Sequence, residues 1–246
     1  MRIVSLTPNL TELIFALEAG PQVVGVTAND HFPKQVEELP EVGGLQLDYE
    51  ALLHLRPDLV VFDPALHASH LPQLKKLGLP LKALPTQSLD DLLAAIPELG
   101  RQLNREAAAQ KLLEQLHRQL EQVDQRRARY SRRPKAVVEI WLDPLSVAGS
   151  QSYVGQLMER AGFENAIKQT GYPSLSLEEL LRLDPEVLIL TQPKAQELAQ
   201  RPVWKELRAV REGHVLEIAE DLMVRPGPRF VEALQQMQEW RSHHFP

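Results

Sequence analysis

The sequence contains no cysteine among its 246 residues. Disulfide bonds, thiolate ligands for zinc and cysteine nucleophiles are therefore excluded. No apolar run approaches the roughly 20 residues that a helix needs to span a bilayer, so no membrane-spanning helix is predicted. The first residues, MRIVSL, lead directly into a predicted strand without the features of a secretory leader. We therefore expect a periplasmic or cell-envelope protein if a leader has been removed, and a cytoplasmic protein otherwise.

The signature motifs of the common enzyme classes are also missing. The sequence has no G-x-G-x-x-G, G-x-x-x-x-G-K, G-x-S-x-G or H-E-x-x-H. The net charge of −6 argues against a nucleic-acid groove, which needs clustered Lys and Arg. We predict a protein that is not an enzyme, requires no cofactor and binds no nucleic acid. A metal-dependent hydrolase is the enzymatic alternative.

One unit of sequence occurs twice. YEALLHLRPDLVVF (49–62) and LEELLRLDPEVLIL (177–190) each predict a short helix that leads through a proline into a buried strand. Upstream of each copy, SLTPNLTELIFALEAG (5–20) and AGSQSYVGQLMERAG (148–162) predict a hydroxyl-capped helix that ends at a left-handed Gly20 or Gly162. A single long-range copy predicts two similar lobes rather than a solenoid.

A segment without Gly or Pro lies between the two copies, at 103–133. It is rich in good helix formers and carries an apolar stripe at helical spacing. The stripe consists of Leu112, Leu113, Leu116, Leu120 and Val123. We predict a bridging helix of about 27 residues, roughly 40 Å long. It divides the chain into an N-terminal lobe at 1–100, a bridge at 101–133 and a C-terminal lobe at 134–246.

Short apolar runs alternate with helical segments in both lobes. The strand candidates are 2–6, 22–26, 58–63 and 80–85 in the first lobe, and 135–142, 145–148, 187–191 and 214–219 in the second. This alternation is typical of parallel sheets covered by helices. The predicted fold class is α/β, with two Rossmann-like lobes joined by one long helix.

Six segments together resemble the iron-siderophore and cobalamin periplasmic-binding proteins of ABC importers. They are SLTPNLTE, VVGVTANDHFP, VGGLQLDYEALLHLRPDLVV, the long central helix, WLDPLSVAGSQSYVGQLMERAGFENAI and YPSLSLEELLRLDPEVLIL. The resemblance covers nearly the whole chain and preserves the order of the parts. It implies a monomeric substrate-binding protein that holds a metal chelate in a cleft between its lobes. The implied chelates are a corrinoid such as cobalamin, an iron-siderophore and haem, and the implied partner is the permease of an ABC importer.

Candidate ligand-binding residues lie in loops that follow predicted strands, because open α/β sheets bind ligands beyond the carboxyl ends of their strands. In the first lobe they are Thr7, Pro8, Asn9, Asn29, His31, Phe32, Gly44, Leu45 and Asp63. In the second lobe they are Trp141, Ser150, Tyr153, Tyr172, Leu222 and Arg225. Asp143 and Gln192 occupy loops of the same kind.

Three kinds of chemistry are expected at these positions. Helices that start near Thr7 and Ser150 would direct backbone N–H groups toward a phosphate or carboxylate, and Arg225 would add a bidentate donor. The aromatic side chains would provide flat apolar surface for a macrocycle, with core packing as the alternative interpretation. Among them, we expect Trp141 and Tyr153 to contact the ligand at the mouth of the second lobe.

The sequence also departs from its family. Cobalamin binders of the family usually have Tyr where this chain has Asn29, and Trp occurs where it has Asp63, so a corrin loses stacking surface. The family docks one glutamate per lobe onto its permease. Glu197 is the candidate in the second lobe, but PALHASHLPQ (64–73) contains no acid. The alternative is a leaderless cytoplasmic binder of a metal complex or metal ion.

Histidines support a separate hypothesis of a protein-ligated metal. His31, His67 and His70 fall in predicted first-lobe loops, where Asp30 or Asp63 could add an oxygen ligand for zinc or iron. His67 and His70 are three residues apart, and this spacing of two histidines is common by chance. We therefore predict no metal site. We expect His67 and His70 to be exposed to solvent.

Overall fold

The computed structural model describes residues 1–44 and 46–246. By internal packing, the chain divides into two units. The first contains Met1–Leu116 and Pro226–Pro228, and the second contains His117–Arg225 and Arg229–Pro246. The limits at residues 100 and 134 remain predictions.

The first unit is built on a parallel sheet with the strand order β2-β1-β3-β4. Its strands are β1 (Ile3–Ser5), β2 (Val23–Gly25), β3 (Leu59–Phe62) and β4 (Leu81–Ala83). Its helices are α1 (Pro8–Ala16), α2 (Tyr49–His54), α3 (Leu71–Lys76) and α4 (Leu89–Gln102), with 3-10 turns at Gly20–Gln22 and Lys34–Glu38. Every residue of β1 and β3 is buried, as expected for parallel strands covered on both faces.

The second unit contains a mixed sheet with the order β6-β5-β8-β9, in which β7 also pairs with β5. Its strands are β5 (Lys135–Leu142), β6 (Leu145–Val147), β7 (Glu164–Asn165), β8 (Val187–Leu190) and β9 (Val215–Glu217). Its helices are α6 (Tyr153–Ala161), α7 (Leu177–Leu183), α8 (Ala195–Leu198), α9 (Arg208–Arg211), α10 (Glu220–Met223) and α11 (Phe230–His244), with a 3-10 turn at Trp204–Glu206. Only the β5–β6 pair is antiparallel among the described strand pairs. The predicted α/β fold is confirmed.

The two copies of the repeat adopt the same local structure. The first copy forms α2 and β3, and the second forms α7 and β8. In the first, Asp58 accepts a hydrogen bond from the Arg2 backbone N–H at 2.7 Å. In the second, Glu186 accepts one from the Lys135 backbone N–H at 3.2 Å. Each acid thus fixes its strand beside a neighbouring strand of the same sheet, β3 beside β1 and β8 beside β5.

The predicted bridge corresponds to α5 (Glu106–Arg127), a helix of 22 residues. The helix begins after Asn104, which adopts a left-handed conformation with φ of 53° between α4 and α5, and it ends before the Gly- and Pro-free segment does. Leu116, Leu120 and Val123 of the predicted stripe are buried. Within the described residues, no helix is both long and apolar enough to cross a membrane.

Candidate ligand-binding site

Two predicted ligand residues of the first unit, Asp63 and Asn9, belong to an internal hydrogen-bond network. Asp63 follows β3 and is fully buried. It accepts hydrogen bonds from the Thr86 backbone N–H at 2.8 Å and the Thr86 hydroxyl at 2.7 Å. Asn9 in turn donates to the Thr86 hydroxyl at 2.9 Å and to the Pro226 carbonyl at 3.3 Å. Thr7 is also buried. In this structure, the Asp63 and Asn9 side chains hold loops together, and all three residues offer little surface to a ligand.

Asp63 is ionised in this network. Burial alone would raise the pKa of its carboxyl group, but hydrogen bonds from Thr86, Gln87 and the backbone of Leu66 and Ala65 outweigh burial and lower the pKa below its usual value. A buried carboxylate with several donors is a typical loop-fixing element. The hydrogen bonds that Asp63 accepts are sufficient to explain why an acid stands at this position, without a role in ligand binding.

The start of α1 lacks the side-chain cap that the sequence predicts. Thr7 is the N-cap residue but its hydroxyl makes no capping hydrogen bond, and Pro8 occupies the first turn without an N–H of its own. The Thr7 carbonyl instead accepts hydrogen bonds from the Ser5 and Thr11 hydroxyls, both at 3.1 Å. The polar groups at this helix start therefore stabilise the turn itself.

Exposed candidates in the first unit lie on the loop after β2. Asn29, His31 and Phe32 are exposed, and Gly44 approaches the Asn29 side chain, with 3.7 Å between an ideal Cβ at Gly44 and Asn29 Nδ2. Phe32 presents a ring that is 43% exposed. The predicted contact at Leu45 lies outside the described residues. This loop is the part of the first unit whose predicted residues are available at the surface.

The prediction that His67 and His70 are exposed to solvent is wrong for His67. Its side chain is buried, and its Nδ1 lies 3.0 Å from the Asp63 carbonyl oxygen. His70 is half-buried and its Nδ1 lies 2.7 Å from the Tyr49 hydroxyl. No group of three or more His, Asp or Glu side chains within the described parts of the chain is arranged to hold a metal ion.

Trp141 is the most exposed aromatic side chain among the candidates. It lies near the end of β5, opposite Ser146 of β6, and is 54% exposed. Its indole Nε1 donates to the Asp143 carbonyl at 2.8 Å, which fixes the ring against the β5–β6 turn. A large ring held by one hydrogen bond at a strand end is suited to stacking against a flat ligand.

Tyr172 and Ser150 lie beside the start of α6. The Tyr172 ring is 47% exposed. Burial of its hydroxyl end raises the pKa of the phenol, and hydrogen bonds with the Val154 backbone and the Ser152 side chain partly offset this effect. The Ser150 hydroxyl donates to the Lys168 carbonyl at 2.8 Å. Ser152, rather than Ser150, caps α6 by accepting from the Gly155 N–H at 3.0 Å.

The predicted surface position of Tyr153 is wrong. Tyr153 is the first residue of α6 and is only 1% exposed, because this face of the helix packs into the core of the protein. Its ring fills interior space instead of providing a ligand-binding surface. The sequence correctly predicted that a helix starts near Ser150. It did not determine which face of that helix is buried.

The remaining second-unit candidates are dispersed. Leu222 is buried in α10, and Arg225 is half-buried beyond it. Glu197 is exposed in α8 and forms an ion pair with Arg201 one turn later. Their roles in ligand binding and docking remain predictions.

A polar cavity lies at the carboxyl ends of β5 and β8, where the sequence predicted Trp141, Asp143 and Gln192 but not Glu139. Its volume is about 210 Å³. Its polar and aromatic lining consists of Glu139, Trp141, Asp143, Gln192, Lys194 and Arg201. Glu139 is 2% exposed, and its Oε2 has no hydrogen-bond partner within the described residues. The signal was available in AVVEIWL, where a single acid interrupts a buried strand.

Parallel sheets with exposed aromatic and polar groups beyond their strands define an α/β ligand-binding protein. The model of the periplasmic binding protein family matches residues 3–222, so the chain belongs to this family.

Three relatives show how far the similarity extends. An uncharacterized ABC transporter substrate-binding lipoprotein, YvrC of Bacillus subtilis, is 30% identical over 97% of this chain and 79% of its own length. The structure of the periplasmic vitamin B12 binding protein BtuF of Vibrio cholerae is 25% identical, with a TM-score of 0.88 over 98% of this chain and 96% of that chain. The structure of Staphylococcus aureus IsdE complexed with heme is 26% identical, with a TM-score of 0.84 over 97% and 98%.

The family also decides between binding and catalysis. Its members in this comparison are transport substrate-binding proteins. This chain is accordingly a substrate-binding protein of the ABC-importer type, not an enzyme, and the bound molecule is its cargo rather than a cofactor.

Proposed function

We propose that this protein reversibly binds a metal chelate, namely a corrinoid, haem or iron-siderophore, and delivers it to an ABC importer. The observation that carries the ligand class is the exposed Trp141 ring at the carboxyl end of β5. Tyr172, on the segment hydrogen-bonded to Ser146, adds a second exposed ring next to the same strand pair. Large rings with few rotamers suit a flat, rigid macrocycle.

The relatives support the same class of cargo. Vitamin B12-binding proteins of Vibrio parahaemolyticus and heme uptake protein IsdE of Staphylococcus aureus are each 28% identical to this chain. The first name describes binding of vitamin B12 and the second describes uptake of heme, and both molecules are macrocyclic metal complexes. The chain's aromatic surface and its family therefore point to the same ligand chemistry.

The deciding experiment is a binding titration with cyanocobalamin, haemin and a set of ferric siderophores. We expect one class to bind with a dissociation constant well below about 100 μM, which corresponds to roughly −5.5 kcal/mol. Absorbance changes would report haem and corrinoid binding, and calorimetry would report the siderophores. If no compound binds below that concentration, the proposed cargo is wrong.

We further propose that the protein acts in the cell envelope as a monomer and docks onto the permease through Glu197. The envelope location follows the periplasmic family and the lipoprotein relative. Glu197 supports docking because its carboxylate is exposed on α8 and is held only by the surface residue Arg201.

A further inference from the structure

The polar cavity beside Trp141 has the size of a chemical group rather than of a whole ligand. At roughly 30 Å³ per water molecule, its volume of about 210 Å³ accommodates about seven waters. A macrocycle is far larger. If a ring stacks on Trp141, the cavity next to it can receive only a side arm of that ring.

Glu139 is the unusual group of this cavity. It lies in the interior of β5, between Val147 of β6 and Leu190 of β8. Its side chain is 2% exposed, and Oε2 makes no hydrogen bond within the described chain. A buried acid without a full set of partners is costly, so a donor supplied by a ligand would satisfy it.

The remaining polar groups provide donors as well as acceptors. Burial raises the pKa of Glu139, and a hydrogen bond from the Thr191 backbone and the nearby Lys194 cation offset this effect only in part. Gln192 presents an amide, and its Nε2 donates to Glu220 at 3.4 Å. Asp143 adds a second acid to the lining, and Arg201, whose guanidinium is paired with Glu197, adds a second cation. The cavity therefore combines acceptor and donor groups over a short distance.

We propose that Glu139 is a specificity-determining residue whose cavity accepts a neutral carboxamide arm of the ligand and rejects a carboxylate arm. A primary carboxamide carries an N–H donor for Glu139 and a carbonyl acceptor for Lys194. A carboxylate offers only acceptors and meets the like charge of Glu139 and Asp143. Corrinoids carry several peripheral carboxamides, whereas haem carries two carboxylates. The preference among large ligands rests on the proposed function, but the preference of the cavity itself does not.

The first test uses small probes that do not depend on the identity of the cargo. Propionamide and propionate are titrated at neutral pH into isotope-labelled protein, up to about 100 mM, which covers dissociation constants of very weak complexes. The indole N–H signal of Trp141, assigned with Trp141→Phe, reports the cavity. We expect propionamide to shift this signal at a concentration at least about tenfold below that of propionate. Equal effects of the two probes, or no shift with either, overturn the proposal.

Variants then identify the residue responsible. Glu139→Gln preserves the side-chain shape but removes the charge, so the preference for propionamide over propionate should fall to less than about threefold. Glu178→Gln, at an exposed position of α7 in the same unit, is the matched control and should retain the wild-type preference. A preference that survives in Glu139→Gln overturns the assignment to Glu139.

Large ligands separate this proposal from the proposed function. If cyanocobalamin binds, replacing its peripheral amides by carboxylates should weaken binding to wild-type protein more than to Glu139→Gln. If no macrocycle or siderophore binds but the propionamide preference is present, the cargo assignment fails and the carboxamide site stands. If haemin binds wild-type protein more tightly than Glu139→Gln, the rejection of carboxylates is wrong.

Discussion

At the residue scale, Trp141 and Tyr153 test the difference between an exposed and a buried aromatic ring. Trp141 is 54% exposed, so Trp141→Ala should weaken ligand binding by about 1–3 kcal/mol and leave folding nearly unchanged. Tyr153 is 1% exposed, so Tyr153→Ala should instead destabilise the protein by about 3–5 kcal/mol. Calorimetric titration and urea denaturation measure the two effects.

The control for this pair is Trp141→Phe, which retains a ring and should keep part of the affinity. A Trp141→Ala variant that binds as tightly as the wild type would show that the ring does not contact the ligand.

Asp63 should contribute stability that depends on pH. Its pKa is lower in the folded protein than the ordinary value of 3.8, because donors surround the carboxylate. The contribution is therefore present above about pH 3.8 and is lost as the pH falls through the lower, folded-state pKa. Asp63→Asn should lower the free energy of unfolding by about 2 kcal/mol at neutral pH, and less in strong acid.

Denaturant titrations at about pH 7 and about pH 3 measure this difference. Glu38→Gln, at an exposed position of the same unit, is the control and should change stability little. A penalty for Asp63→Asn that is the same at both pH values would contradict the ionised network.

Glu139 should have the opposite pH dependence. Burial raises its pKa above the ordinary value of 4.5, so the folded state binds the proton more tightly than the unfolded state. The associated stability is present below about pH 4.5 and is lost as the pH rises through the folded-state pKa. Glu139→Gln should thus raise the free energy of unfolding at neutral pH, by about 1 kcal/mol, and have a smaller effect in acid.

The same denaturant series measures this effect, with Glu178→Gln as the control. Destabilisation of Glu139→Gln at neutral pH would show that the carboxylate has stabilising partners in the protein.

At the element scale, the contact between α4 and α5 depends on a glycine. An ideal Cβ on Gly100 would lie 2.5 Å from the Cβ of Ala109, which is too close for both to keep their positions. Gly100→Ala should therefore destabilise the protein by about 1–3 kcal/mol despite the better helix propensity of alanine. Urea denaturation provides the measurement.

A double variant shows whether this contact is the cause. Ala109→Gly removes the opposing Cβ, so Gly100→Ala should cost less in the Ala109→Gly background than in the wild type. Additive effects of the two substitutions would locate the strain elsewhere.

The elements themselves could be predicted well from the sequence. All eight strand candidates correspond to strands, and the most buried of them, β1, β3 and β8, are continuous short runs without a charged residue. The two-residue β7 was missed because Glu164 and Asn165 carry no such pattern. Gly162 adopts the expected left-handed conformation, with φ of 105°, whereas after α1 Glu18 adopts it instead of Gly20. A Cβ on Gly20 would collide with the Phe15 ring, so this glycine serves a close approach.

The candidate site could be predicted only in part, because burial of a loop side chain depends on tertiary packing. Trp141 lies at the carboxyl end of β5, as predicted from the apolar run, whereas its contact with a ligand remains a prediction. Asp63 and Tyr153 occupy equally suitable positions in the sequence, but their surroundings enclose them. No local pattern distinguishes an enclosed side chain from an exposed one directly after a strand or at a helix start.

At the scale of the whole molecule, duplication explains the fold but not the chemistry. In both sheets, the repeated helix–strand unit places an acid, Asp58 or Glu186, where it accepts a hydrogen bond from a backbone N–H at the start of the neighbouring strand. The loops beyond the strands differ, with a hydrogen-bonded Asp63 after β3 and a polar cavity beside β8. The chemistry at the strand ends therefore differs between the two units, whereas the helix–strand unit is alike in both.

Delivery to an importer gives the last prediction. The Glu197 carboxylate is exposed and its ion pair with Arg201 is a surface pair worth little stability, so it is available for a cationic partner. Glu197→Ala should leave chelate affinity within about twofold. It should slow association with the importer and weaken it by about 1 kcal/mol, as expected for a charge at the rim of an interface.

Arg201→Ala releases the same carboxylate and should retain or improve docking. Ligand-dependent ATPase stimulation of the reconstituted importer measures both variants, and equal stimulation by Glu197→Ala and wild-type protein would exclude Glu197 from the docking surface.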